Sequence, residues 1–387
     1  MKNIGIYIHI PFCKSKCYYC DFVSFCNEEK YIDLYIKCLN KEIEYKSNEL
    51  KQFELKNNEK FEIDTIYIGG GTPSFIDSKY IVDLLTNVKN SFNLKENCEI
   101  TIEVNPDSAS LEKLLDYKKA GANRVSIGLQ TSNDKLLKEI GRAHNFEQFK
   151  NSFENIKRAG FNNINVDLMI ALPNQKIQDV KSSLEYVVSL NPTHISVYSL
   201  ILEDGTKIFK DVISGKLSLP SEYTERKMYW IVKKELEKNG YLHYEISNFA
   251  KPEKESKHNL NCWNQNQYLG IGLSAHSFFN DFRFCNTNSL NKYLKNVQND
   301  EYLKNQEILE ILDKKEKQKE YMILGLRKIE GVQIKKFKEK FATNPIFLFK
   351  DQINKLVNQD LIEIDGDFIK LTDKGLDFAN LVWEEFV

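Results

Sequence analysis

The chain has almost no excess charge: 54 Lys and Arg stand against 55 Asp and Glu, a formal net charge of -1. That balance argues against a general nucleic-acid or membrane-surface binder, either of which needs a strongly basic field. Long apolar runs are also lacking. The longest near the start, residues 4–10, is too short for a signal core or a membrane span and meets Pro11 at once. Nothing suggests export, so the expected compartment is the cytoplasm. No internal sequence repeat stands out.

What is present is the composition of an ordinary soluble protein. Hydrophobic residues make up 42% and charged residues 28% of 387 positions, enough for one large core plus an appendage. Eight cysteines in such a chain read as reduced thiols that ligate metal or pack.

Through the first two-thirds a short β-rich run alternates with an amphipathic helical stretch. Strands are predicted near residues 4–10, 63–68, 99–104, 124–129, 164–169, 194–200 and 241–246. Gly121, Gly160 and Gly240 each follow a helical stretch, where a C-terminal cap favours positive φ. Strands separated by helices run parallel, and right-handed crossovers wind them into a doubly wound sheet or a barrel. Ligands then meet the C-terminal ends of the strands. The fold class expected is α/β, a partial (β/α)6 barrel over residues 1–240. A segment at 241–300 is expected to pack on it, and 301–387 to form a small winged-helix-like α+β module. In that module Asp365-Gly366, between two alternating runs, is a hairpin signal. Residues 314–340 hold ten Lys and Arg against four Glu, which reads as a solvated helical face.

Directly after the first predicted strand comes Cys13-Lys-Ser-Lys-Cys17-Tyr-Tyr-Cys20. Three thiolates on a short irregular loop can each take one iron of a four-iron, four-sulfur cubane. Such clusters normally use four cysteines, so three leave one iron unclaimed. That iron can chelate the amino and carboxylate groups of S-adenosylmethionine and pass an electron into its sulfonium, the chemistry of radical-SAM proteins. Phe12, Tyr18, Tyr19 and Phe22 would screen it from water. The competing reading is a zinc site completed by His9 or Cys26.

Further motifs end the following predicted strands: Gly69-Gly70-Gly71-Thr72-Pro73, Glu103-Val-Asn-Pro, Ser-Ile-Gly-Leu-Gln130 with Gly-Arg142-Ala-His, and Asn-Val-Asp167-Leu-Met-Ile-Ala-Leu-Pro. Together with the cysteine loop they resemble the oxygen-independent coproporphyrinogen III oxidase family, over residues 4–276. The resemblance implies contacts to S-adenosylmethionine from Tyr7, Tyr19, Gly70, Gly71, Thr72, Glu103, Gln130, Arg142 and Asp167. The glycine run would offer free N–H groups to the methionine carboxylate. The family has Gly where this chain has Ala171.

Two departures separate the chain from the oxidase branch. That branch follows its third cysteine with C-x-C spacing, whereas Asp21-Phe22 follow Cys20 here, and its later Gln-Gly-Tyr motif is absent. Instead, His258-Asn-Leu-Asn-Cys262-Trp263 resembles the H-N-x-x-Y-W motif of a haem chaperone branch, with Cys262 in place of Tyr. The implied role of His258 is to bind haem iron; alone, it would read as an exposed surface histidine. His276 reads as a weaker candidate ligand than His258, and first as structural or near the cofactor. The cofactors implied are a 4Fe-4S cluster, S-adenosylmethionine and haem. The implied partners are a haem-acceptor protein, an electron donor for the cluster and a second copy of the chain, with no nucleic acid. The leading expectation is a haem chaperone. The competing one is an enzyme that oxidatively decarboxylates coproporphyrinogen III.

Overall fold

The computed structural model describes residues 1–387. Its centre is six parallel strands hydrogen-bonded in chain order: β1 (Lys2–Ile10), β2 (Phe61–Gly70), β3 (Leu94–Val104), β4 (Arg124–Gln130), β5 (Asn163–Ile170) and β6 (His194–Ser199). Parallel neighbours need a crossover. The crossovers are α1 (Ile32–Asn57), α2 (Ser78–Ser91), α3 (Leu111–Lys119), the pair α4 (Asp134–Glu139) and α5 (Phe146–Arg158), and α6 (Ile177–Leu190). After β6 follow α7 (Lys207–Ile213) and α8 (Glu222–Lys238).

Local sequence explains these boundaries. Asn145 and Gln148 form a reciprocal capping box that starts α5. Gly121, Gly160 and Gly240 all take positive φ, at 97°, 83° and 76°, where the helices before them stop.

Alternation along β1 sets inside and outside. Ile4, Ile6, Ile8 and Ile10 are fully buried in the main core, each worth about 2 kcal/mol of burial. Gly5, Tyr7 and His9 face the other way, into the barrel. A Cβ on Gly5 would stand 2.9 Å from Thr65 Oγ1, so any larger residue there would push the Thr65 side chain aside.

Residues 241–311 extend the sheet at both ends. Beyond β6 lie the antiparallel strands β7 (Leu242–Glu245) and β8 (Asn248–Ala250). The short helix α9 (Lys257–Trp263) passes beneath the N-terminal ends of β2 and β3: its first N–H groups reach Glu99 and Asn261 reaches Asp64. Then β9 (Tyr268–Ile271) pairs parallel with β1, and β10 (His276–Phe279), β11 (Phe282–Asn286) and β12 (Gln306–Ile311) follow antiparallel. The result is one sheet of twelve strands. Most of these added strands are three to five residues long, too short to show a period in sequence.

A second core runs from Met322 to Phe386. It includes the small sheet β13 (Val332–Gln333), β15 (Phe368–Leu371) and β14 (Ile362–Asp365), in that spatial order. Pairing of Asp365 with Phe368 makes the hairpin loop Gly366-Asp367, one residue later than the Asp-Gly signal suggested. Gly366 supplies the φ of 58° that the first position of a II′ turn requires. Trp230 on α8 packs against both cores, and its Nε1 donates to Asp377 at 2.9 Å. No helix is long and apolar enough to cross a membrane.

Candidate functional site

The cysteine loop leaves β1 at Pro11 and returns beside its own start. Phe25 N–H donates to Pro11 O at 2.7 Å, and Cys13 N–H to Phe25 O at 2.9 Å. Within it, Cys20 N–H bonds Cys17 O at 3.2 Å, a tight turn that carries these two cysteines together. Tyr18 fastens the loop to neighbouring elements, its N–H to Ile140 O at 3.0 Å and its O from Ile208 N–H at 2.9 Å.

A chain of polar contacts then links two of the sulfurs. Thr72 donates to Cys13 Sγ at 3.4 Å and accepts from Asn105 Nδ2 at 3.1 Å. Asn105 Oδ1 accepts from Arg142 Nη2 at 2.9 Å, and Arg142 Nη1 lies 3.5 Å from both Cys17 Sγ and the Tyr19 hydroxyl. Burial pushes the Cys20 thiol up to about 11, with the neighbouring Cys17 adding to it. Bound iron would reverse that, because a coordinated thiol is deprotonated outright.

No three His, Cys, Asp or Glu side chains close on a single point as a zinc site requires. A cubane makes no such demand, since each sulfur takes its own iron. The donor set, three cysteines on one loop beside a cavity, therefore fits a cluster better than a lone ion.

That cavity has a volume of about 490 Å³ and opens at the C-terminal ends of the strands. Its walls include Cys13, Cys17, Tyr19, Cys20, Gly70, Gly71, Thr72, Glu103, Gln130, Arg142 and Asp167, eleven of the thirteen residues expected from sequence. Glu103 accepts from the Tyr67 hydroxyl at 2.7 Å and from Gly70 N–H at 3.3 Å. Burial nevertheless lifts its carboxyl to about 7. Asp167 is likewise raised by burial while accepting from Asn165 at 2.7 Å and Ser126 at 3.1 Å. Gln130 closes β4 in the left-handed region at φ 67°, and the missing Cβ of Gly128 leaves room for both its amide and Arg142.

The glycine run differs from expectation. Its N–H groups are engaged: Gly71 donates to Ile10 O at 2.8 Å, Thr72 to Phe12 O at 2.9 Å, and Gly70 to Glu103. The run thus clamps the base of the cysteine loop. Its value is closeness, for a Cβ on Gly71 would sit 3.0 Å from Cys13 Sγ.

Two expected residues stand outside the cavity wall. Tyr7 stacks on Tyr67 and shares a hydrogen bond of 2.9 Å with His9 Nδ1. His258, expected to offer an imidazole to haem, is instead inside the molecule. It is 7% exposed, its Nδ1 lies 2.9 Å from Thr65 Oγ1, and its ring lies 5.2 Å from that of Tyr67. Burial lowers its pKa to about 4. The cause is α9, whose docking beneath the strands turns its second residue, the first of the motif, inward.

Sequence reasoning missed three residues of the site. Asn105, in the quoted Glu-Val-Asn-Pro, joins Thr72 to Arg142. Tyr67 holds Glu103. Arg124 lines the cavity at 2% exposure with its Nε unpartnered, and its charge favours ionisation of Glu103 and Asp167. An arginine opening a strand otherwise apolar on alternate positions was the available signal.

Comparison with known proteins identifies relatives of the whole chain. Residues 7–187 match the Radical SAM superfamily and residues 312–378 the HemN C-terminal domain. The chain is 40% identical to the heme chaperone HemW of Lactococcus lactis subsp. lactis (strain IL1403) over 100% of this chain and 98% of that protein. It is 38% identical to the heme chaperone HemW of Bacillus subtilis (strain 168), over 98% of each. In three dimensions it resembles coproporphyrinogen III oxidase (HemN) from Escherichia coli, with a TM-score of 0.84 at 22% identity, covering 100% of this chain and 90% of that one.

Proposed function

The chain belongs to the HemW family of the radical SAM superfamily, and from that premise we propose that it is a haem chaperone, which binds haem and delivers it to an acceptor protein. In this reading Cys13, Cys17 and Cys20 hold a 4Fe-4S cluster and the adjoining cavity takes S-adenosylmethionine. The observation that carries it is the convergence on one cavity of three cysteines with polar side chains from successive strands. When bound, the cluster supplies one-electron reduction. The chain's own residues bind and orient: Glu103 and Asp167 accept from amino and hydroxyl groups, and Arg142 places a cation beside Cys17 and Tyr19. Half-buried Tyr18 and Tyr19 keep water from the loop. Bearing a cluster, the protein needs an electron donor.

The test uses full-length protein with its cluster reconstituted anaerobically. Haem is added and its visible spectrum followed, then an apo-haemoprotein acceptor is supplied. Stoichiometric binding followed by transfer is the expected result. Conversion of coproporphyrinogen III to a vinyl product, with no haem bound, would replace the chaperone with the enzyme.

A further inference from the structure

The two ends of α9 are held by different bodies. Its start is bonded to the barrel: the N–H groups of Lys257 and His258 both donate to Glu99 at 3.2 Å, and Asn261 donates to Asp64 at 3.0 Å. Its far end is bonded to the C-terminal module. Trp263 lies under the Arg327 guanidinium at 4.3 Å, and the same guanidinium lies 5.1 Å from the ring of Trp383. Just beyond the helix, Lys328 donates to Asn264 at 2.8 Å. Gln265 donates to Lys317 O at 3.0 Å and to Glu320 Oε2 at 2.7 Å. His258 and Trp263, the first and last residues of the motif, thus face two different partners.

The seam between α9 and the module leaves polar groups stranded. Thirteen buried side-chain polar atoms in the chain lack a hydrogen-bond partner, and five of them lie along it: Glu245 Oε2, Trp263 Nε1, Gln265 Oε1, Arg327 Nε and Trp383 Nε1. Glu245 and Arg327 stand 3.9 Å apart, too far for a hydrogen bond. Each of these groups gains a partner when water enters, so the closed seam forgoes free energy that opening recovers. Segments joined in this way open before the body of the fold does. A helix of seven residues has no stability of its own, so the place of α9 depends on both anchors.

We propose that the C-terminal module latches α9: opening of the seam around Arg327 frees the helix from the barrel floor and brings the motif histidine to solvent. The functional meaning of the latch rests on the haem-chaperone reading, in which that histidine meets haem. Two variants of the full-length protein test it. Gln265→Glu sets a second carboxylate against Glu320, and Lys328→Met removes the bond to Asn264. Amide exchange over residues 257–263, read by mass spectrometry, is expected to rise about tenfold in each, with exchange in β4 unchanged. The apparent dissociation constant for ferric haem is expected to fall by the same factor of about ten, because affinity scales with the fraction of open chains. That sign separates a latch from an ordinary structural contact, whose loss leaves affinity equal or weaker. Exchange over 257–263 that stays unchanged, or that rises equally in β4, would overturn the latch. So would faster exchange with haem bound no more tightly than by the wild type. Faster exchange confined to α9, with no haem bound by any form, would remove the chaperone reading and leave the latch standing.

Discussion

Gly70 offers a quantitative test of how β2 supports the cysteine loop. Its φ is 108°, and a Cβ built there would lie 2.4 Å from His9 Nδ1 and 2.5 Å from His9 Cε1. His9 has nowhere to go. It is 3% exposed, and its two ring nitrogens are held by Tyr7 OH at 2.9 Å and Val23 O at 2.8 Å. In Gly70→Ala the backbone strain costs about 1–3 kcal/mol. Overpacking against His9 adds about 1–3 kcal/mol. The two contributions separate in a double-mutant cycle with His9→Ala, where the clash vanishes and the dihedral strain stays. A coupling of about 1–3 kcal/mol is expected. Urea denaturation of the apo chain, followed by circular dichroism, measures it. Because His9 is anchored to Val23 inside the loop, iron retained after reconstitution should fall in Gly70→Ala and not merely track stability. A cost under about 0.5 kcal/mol, or an equal cost in both backgrounds, would refute the clash.

Ala171 occupies the left-handed region at φ 60° while 4% exposed, so Ala171→Gly should stabilise by about 1 kcal/mol, read as a higher urea midpoint. His258 has a folded pKa of about 4, below its ordinary value, so the unfolded chain binds its proton first and stability is lost as pH falls from about 6.5 toward 4. Wild type should therefore lose about 2 kcal/mol more than His258→Gln between pH 7 and pH 5; parallel pH profiles would place that ring in solvent. Arg142→Met removes the cation beside Cys17 and Tyr19, and S-adenosylmethionine affinity of the cluster-loaded protein, read by the electron-spin signal, should drop about tenfold. Serine at Cys13, Cys17 or Cys20 should abolish the cluster absorbance, whereas serine at Cys26, which does not line the cavity, should leave it.

Much of the barrel was legible because its signals are local. An isoleucine at every second position from Ile4 to Ile10, a glycine after α3, α5 and α8, and helices of 6 to 26 residues between strands all act within a few residues of themselves. The same holds for the cysteine spacing, which needs only one loop. Residues at strand ends were legible too, since parallel topology brings strand C-termini to one rim.

What sequence alone left undecided depends on contacts between distant segments. The strands β8 to β11 are short and acquire their place by pairing outward from β6 and β1, so no period announces them. Free N–H groups were expected of the glycine run, but Ile10 and Phe12 take them across 60 residues of chain. Arg124 and Tyr67 join the site only once the barrel curves. The exposure of the histidines shows the limit most sharply, for a motif names a residue type and not whether solvent reaches it. The docking of α9 buried His258, while the pairing of β10 with β9 left His276 in the open. Residue type and spacing determine which chemistry is available; which side chain solvent can reach is a property of packing, and packing is decided by the whole chain.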